Sequence, residues 1–229
     1  LAVGFCLVFP TIVTLAYFVW LADRADTLKV AYGVGKLIQF GFPVAFAWFF
    51  LRDRIGWPTG DRRGVSRGLI FGAVIVALGL AIYAWLLKPN GALDAAAGQI
   101  EAKVAGFGIT SAAAYFLLAA FYSVAHSGLE EYYWRWFVFG QLRRQTSRVV
   151  AIVISSIGFM AHHVVVLGVF FGWSSPLTYL FSVAIAIGGA VWAWLYDDSD
   201  SVLAPWISHA LVDAGIFAIG YDVIRSSLA

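Results

Sequence analysis

The sequence predicts an all-α fold, a polytopic transmembrane helical bundle of about seven to eight spans, on three observations. Apolar residues make up 62% of the chain and charged ones 12%, with a mean hydropathy of +0.84, where a soluble domain carries roughly 25% charge. Apolar stretches recur at a length of roughly 20 residues, which is what one bilayer crossing requires, and 229 residues hold about seven of them. The charges gather in short punctuations between those stretches. A net charge of +2 spread over separate loops offers no basic patch, so nucleic acid is not expected as a partner. The single cysteine, Cys6, excludes an internal disulfide framework and a cysteine-based zinc cluster.

Hydropathy places the spans at Leu1 to Leu21, Ala31 to Leu51, Gly68 to Leu87, Thr110 to Leu129, Val149 to Phe171, Pro176 to Tyr196 and Val202 to Ile219. The chain opens on Leu1, so a longer precursor is expected, and residues 1–22 lack the basic flank and small-residue site of a cleaved signal. Charged connections follow at Asp23 to Lys29, Arg52 to Arg67, Lys88 to Lys103, Arg143 to Arg148 and Asp197, Asp198 and Asp200. Arg52, Arg54, Arg62, Arg63 and Arg67 share one connection and Arg143, Arg144 and Arg148 another. Two crossings separate them, so the positive-inside rule puts both on the cytoplasmic side. Between Ala92 and Val104 a short helix is expected at the opposite interface. The fourth segment runs without a breaker from Thr110 to Leu142, about 33 residues or roughly 50 Å of helix. We read residues 1–105 as N-terminal membrane helices with an interfacial segment and 106–225 as the helical core that carries chemistry.

Ionisable side chains in hydrocarbon are costly and mark function or pairing. Those in or near spans are Lys36, His126, Glu130, Glu131, Arg135, His162, His163, His209 and Asp213, a set that holds all four histidines of the chain. Residues four apart share a helix face, and consecutive ones diverge by about 100°. Glu131 therefore pairs with Arg135, in the favourable acid-first order. Glu130 shares a face with His126 and is left free to take a proton. Phe159 and His163 align on the fifth span, with His162 turned away, and His209 and Asp213 align on the last.

Glu130, His163, His209 and Asp213 can then activate water in two ways. Glu130 and His163 polarise a water while the last span stabilises an oxyanion, or His163, His209 and Asp213 hold zinc and Glu130 deprotonates its bound water. Against these stand plainer roles: a structural clamp for Glu131 and Arg135, interhelical hydrogen bonds for His126 and His162, packing for Phe159, and snorkelling to an interface for Lys36. Tyr132, Tyr133, Trp134 and Trp136 suit an interfacial aromatic belt.

Glu130-Glu131-Tyr-Tyr-Trp-Arg135, Phe159-Met-Ala-His-His163 and His209-Ala-Leu-Val-Asp213 together resemble the EExxxR, FxxxH and HxxxN/D motifs of the CPBP family. This family comprises the CAAX-protease and bacteriocin-processing intramembrane proteases, type II CAAX prenyl endopeptidases among them. The resemblance covers about Thr110 to Tyr221 and implies an intramembrane endopeptidase acting on a membrane-associated, in some members lipidated, polypeptide. By it Glu130 is the catalytic carboxylate, Glu131 and Arg135 support it, His163 activates water, and His209 and Asp213 bind metal or the oxyanion. Asp213 stands where Asn is the more familiar residue, which leaves it as a metal ligand, a protonated donor or the acceptor that orients His209. The expected location is a bacterial plasma membrane in preference to the endoplasmic reticulum, with lipid as the surrounding partner.

Two other classes compete. A proton-coupled transporter also buries Glu, His and Asp, yet its internal repeats distribute polar groups over both halves, and here they are concentrated in one. A catalytically silent scaffold or immunity protein on the same fold is disfavoured by the intact set from Glu130 to Asp213. HExxH, GxSG before a histidine, and a GxGD partner for Asp222 are all missing from the sequence.

Overall fold

The computed structural model describes residues 1–22, 24–51 and 62–228. The sequence readings on Asp23, Arg52 and Arg54 lie outside the described residues. Among the described residues, seven helices are long and apolar enough to cross a membrane: α1 (Ala2–Trp20), α2 (Val30–Leu51), α3 (Arg62–Leu87), α5 (Ala112–Gln145), α6 (Arg148–Phe171), α7 (Pro176–Ser199) and α8 (Leu203–Ser227). A shorter helix, α4 (Asp94–Gly106), precedes α5. The chain is thus a polytopic helical bundle, an integral multi-pass membrane protein whose outer faces present apolar side chains such as Leu37, Phe49, Trp85 and Leu117.

The helix ends follow local chemistry. Ser111 accepts a hydrogen bond from the Ala114 amide at 3.3 Å and Ser147 one from Val150 at 3.4 Å, each capping the helix it precedes. Ser175 does the same for α7, where Pro176 sits in the first turn. Asp200 closes α7 in a left-handed conformation at φ 47°. The third span starts at Arg62, earlier than hydropathy places it, because arginine is a good helix former and only its charge ends the apolar window. Within α5 the helix widens into π turns at Phe121–His126 and Tyr132–Phe139, on either side of Glu130 and Glu131.

Ion pairs gather on one face of the bundle. Asp197 receives Arg143 at 3.3 Å and Arg148 at 2.8 Å, and Arg67 pairs with Asp198. The ends of α3, α5, α6 and α7 therefore meet at the side to which the sequence assigned the basic connections. At the opposite face Asp222 accepts from Lys88 and from the Tyr83 hydroxyl, both at 2.6 Å. The α4 helix packs against α6 and α8 with Ala96 buried, and Lys103 Nζ lies 3.7 Å from the Tyr17 ring centroid.

A close helix crossing joins the two halves of the chain. Gly64, Gly68 and Gly72, four apart on α3, are buried, and α3 makes the most extensive helix contact of the bundle with α8. A Cβ at Gly68 would lie 2.2 Å from the Ala204 carbonyl oxygen, and one at Gly72 would lie 3.0 Å from that of Ser208. Glycine here lets two backbones touch in a medium where van der Waals packing drives association. Gly68→Ala is expected to lower stability by about 1–3 kcal/mol although alanine is the better helix former. Gly79→Ala, on the same helix with nothing within 4 Å, is expected to be neutral or slightly stabilising. Thermal unfolding of the two variants in one detergent compares them directly.

Candidate active site

Span α5 supplies Glu130, Glu131 and Arg135, α6 supplies His162 and His163, and α8 supplies His209 and Asp213. Glu130, Glu131, Arg135, His162 and His209 are buried, while the Asp213 side chain is 20% exposed. Arg135 Nε stands 2.9 Å from Glu131 Oε2. Neither atom makes a directed hydrogen bond, so the contact is a close ion pair with the N–H aimed off the oxygen. The guanidinium also lies over Phe159, 4.8 Å from the ring centroid, and over Trp192 at 5.4 Å, a cation–π seat that fixes its position.

The other oxygen of Glu131 does the orienting. His209 Nδ1 donates to Glu131 Oε1 at 2.8 Å, since an ionised carboxylate only accepts. Trp192 stacks on the His209 ring at 4.1 Å and 17°, and its indole N–H donates to Ser208 Oγ at 3.0 Å. His209 is thereby held with Nε2 turned toward two acids, 3.9 Å from Glu130 Oε2 and 3.6 Å from Asp213 Oδ1. Of the roles open to Asp213, orienting His209 through Nδ1 belongs to Glu131 instead. A three-residue chain of Arg135, Glu131 and His209 thus fixes which imidazole nitrogen faces Glu130 and Asp213.

Glu130 is enclosed by imidazoles. His162 Nε2 lies 3.5 Å from Glu130 Oε1. The His163 Nδ1–H donates to the Phe159 carbonyl at 2.9 Å, which leaves Nε2 with its lone pair available. Ligand atoms of Glu130, His162 and His163 all lie within 4.8 Å of one another.

This group differs from the expected metal set. Among the described residues His163, His209 and Asp213 do not form such a group, and Glu130 and His162 take the places of His209 and Asp213. The reason is rotational. A helix that aims the gap between two consecutive residues at a carboxylate puts one ring on each side of it, and the His162 and His163 rings are 4.1 Å apart. His162 is not turned away. It stacks on Trp134 at an interplanar angle of 4°, and the His-His doublet was the sequence signal for it.

Two further readings change. Tyr133 and Trp134 are fully buried instead of forming an interfacial belt, and the Tyr133 hydroxyl donates to the Cys6 carbonyl at 2.7 Å, tying α5 to α1. Lys36 does not run out to an interface. Its Nζ sits 5.5 Å from the Tyr32 ring centroid and 5.4 Å from that of Phe40, while Phe40 meets the His126 ring edge-on at 6.3 Å. His126 itself packs on Tyr122 at 4.9 Å. Phe159 is 1% exposed and touches His162, His163, His209 and Trp192. It is the apolar floor on which the polar groups stand.

Chemically, the arrangement offers a buried carboxylate with several imidazoles around it and a second imidazole–carboxylate pair opposite. Residues 107–215 match the family model described as type II CAAX prenyl endopeptidase Rce1-like. No curated protein and no solved structure matches the chain. The matched stretch contains Glu130, Glu131, Arg135, His162, His163, His209 and Asp213, and over it the chain is similar to the Rce1-like domain, a match that supports a CPBP/CAAX protease family.

Proposed function

We propose that this chain is an intramembrane endopeptidase that hydrolyses a peptide bond in a membrane-associated polypeptide with water activated at Glu130. The observation that carries the reading is the burial of Glu130 between His162 on one side and His209 Nε2 on the other. Glu130 takes a proton from a water placed against it, the hydroxyl adds to the acyl carbon, and the C–N bond breaks as the proton passes to the leaving amine. His209, with Nδ1 committed to Glu131, presents Nε2 to the developing oxyanion when protonated. His163, through its free Nε2, orients the water. Asp213 sets the charge state in which His209 works.

Zinc assistance is the second reading, favoured by the Glu130, His162 and His163 donor group. Nitrogen and carboxylate donors suit zinc, and a zinc ion there would supply Lewis acidity to a bound water. Under zinc, Glu130, His162 and His163 would serve as its ligands; in both readings Glu131 and Arg135 position His209, and Phe159 excludes bulk water from beneath the site. Substrates to try first are prenylated tails, after the family's description, and unlipidated amphipathic peptides in the same detergent. A bacterial plasma membrane remains the expected setting.

The test is cleavage of a quenched fluorescent peptide by the purified protein, with metal analysis of the same sample. His209→Ala is expected to lower kcat by about 10²–10³-fold. Near-stoichiometric zinc with activity lost to a chelator supports the zinc reading, and full activity of metal-free protein rejects it. Equal turnover by wild type and His209→Ala would sink the proposed site.

A further inference from the structure

Trp206, near the start of α8, reaches across to α5 just ahead of Glu130. Its indole N–H donates to the Val124 carbonyl at 2.9 Å. Gly128 lies against the same ring: a Cβ there would stand 2.9 Å from Trp206 Nε1 and 3.0 Å from Cε2. Glycine is a poor helix former, but here it lets the indole sit directly on the α5 backbone. Val124 belongs to the widened turn Phe121–His126, which ends four residues before Glu130. A π turn bonds i to i+5 and so holds one extra residue, which turns everything after it by about 100° relative to an unbroken α-helix. The aim of the Glu130 side chain therefore depends on that turn being kept. Its carbonyls are held from several sides. The Ser127 hydroxyl donates to the Ser123 carbonyl at 2.5 Å and lies 3.3 Å from that of Val124, while the Trp206 bond comes from a different helix.

The two ends of this strut stand on the two helices that face each other across the site. Trp206 is three residues before His209 on α8, Val124 is six before Glu130 on α5, and Glu130 Oε2 lies 3.9 Å from His209 Nε2. Hydrocarbon supplies no water to take over a lost backbone partner, so a carbonyl that the strut releases pulls its turn back toward the regular ladder. Resting on the protease reading above, we propose that Trp206 is a positioning residue, whose indole N–H holds the widened turn of α5 and thereby sets Glu130 between His162 and His209. It touches no reacting atom and acts through the Val124 backbone. Neither Trp206 nor Gly128 is among the defining positions of the EExxxR, FxxxH and HxxxD motifs.

Three variants test this in the purified full chain. Trp206→Phe keeps an aromatic ring and removes the donor. Trp206→His keeps a ring N–H, since imidazole Nε2 overlays indole Nε1. Gly128→Ala leaves the donor in place and pushes the ring off the backbone. Trp206→Phe and Gly128→Ala are expected to lower kcat by about 10–10²-fold, the cost of a small misplacement, with KM nearly level. Trp206→His is expected to recover most of that loss. Hydrogen–deuterium exchange of the Phe121–Glu131 amides supplies the arm independent of turnover, with faster exchange expected in Trp206→Phe and Gly128→Ala than in wild type and Trp206→His. Wild-type kcat in Trp206→Phe overturns the proposal and leaves the protease standing. Equal loss in Trp206→Phe and Trp206→His also overturns it, because ring volume and not the N–H is then what matters. Where Trp206→Phe does not fold, Gly128→Ala decides, and wild-type kcat with wild-type exchange in that variant overturns the strut. If wild type cuts no peptide while exchange follows the donor in the expected order, the protease reading falls and the strut on the Glu130 turn stands; exchange that ignores the donor removes the strut.

Discussion

Glu130→Gln is expected to abolish peptide cleavage, with kcat reduced by about 10²–10⁴-fold, the range that one positioned general base contributes. The amide has the shape of the carboxylate but cannot take a proton from water. It keeps an oxygen toward His162 Nε2, 3.5 Å away in the native protein, so the bundle is expected to fold as before. Removing one of the two acids that face His209 Nε2 also relieves a like-charge pair with Asp213. The unfolding midpoint should therefore stay level or rise while turnover disappears. KM for a bound peptide should change little, because the effect belongs to the transition state. Substantial cleavage by a well-folded Glu130→Gln would exclude Glu130 as the base.

The second large effect concerns stability. Glu131 and Arg135 are essentially inaccessible, with side-chain exposures of 0% and 1%. Removing one partner of such a pair leaves an uncompensated charge inside the bundle. Arg135→Met is expected to cost about 3–5 kcal/mol, the usual penalty for breaking a buried pair from one side. Met preserves much of the aliphatic packing against Phe159 and Trp192, so the loss reports charge more than volume. Combining it with Glu131→Gln should restore much of the stability, since the stranded anion is gone. It should not restore turnover. The amide oxygen still accepts from His209 Nδ1, but the ring loses the negative charge that supports an imidazolium at Nε2. Unfolding in detergent and peptide cleavage, measured on the two single variants and the double, separate these contributions. Equal destabilisation in the double and in Arg135→Met would refute the ion-pair account.

Much of the site was legible because helix periodicity acts within one element. Glu131 and Arg135 are four apart and they pair; His209 and Asp213 are four apart and they meet at 3.6 Å. The seven apolar spans followed from length and hydropathy, because lipid admits only segments that satisfy their own backbone. The α3 contact with α8 through Gly68 and Gly72 left a weaker trace, since a four-residue glycine spacing names a close crossing without naming its partner helix.

What the sequence determined by itself is which residues lie on which helix, which share a face, and that an unusual set of buried acids and imidazoles occupies α5, α6 and α8. Only the tertiary structure decided that His162 joins His163 at Glu130, that Glu131 and not Asp213 holds His209 Nδ1, and that Lys36 turns inward. The physical reason is that spacing along a helix is set by local hydrogen bonding. The rotation of one helix against another is set by packing across the whole bundle, and a few tens of degrees of that rotation choose between adjacent side chains.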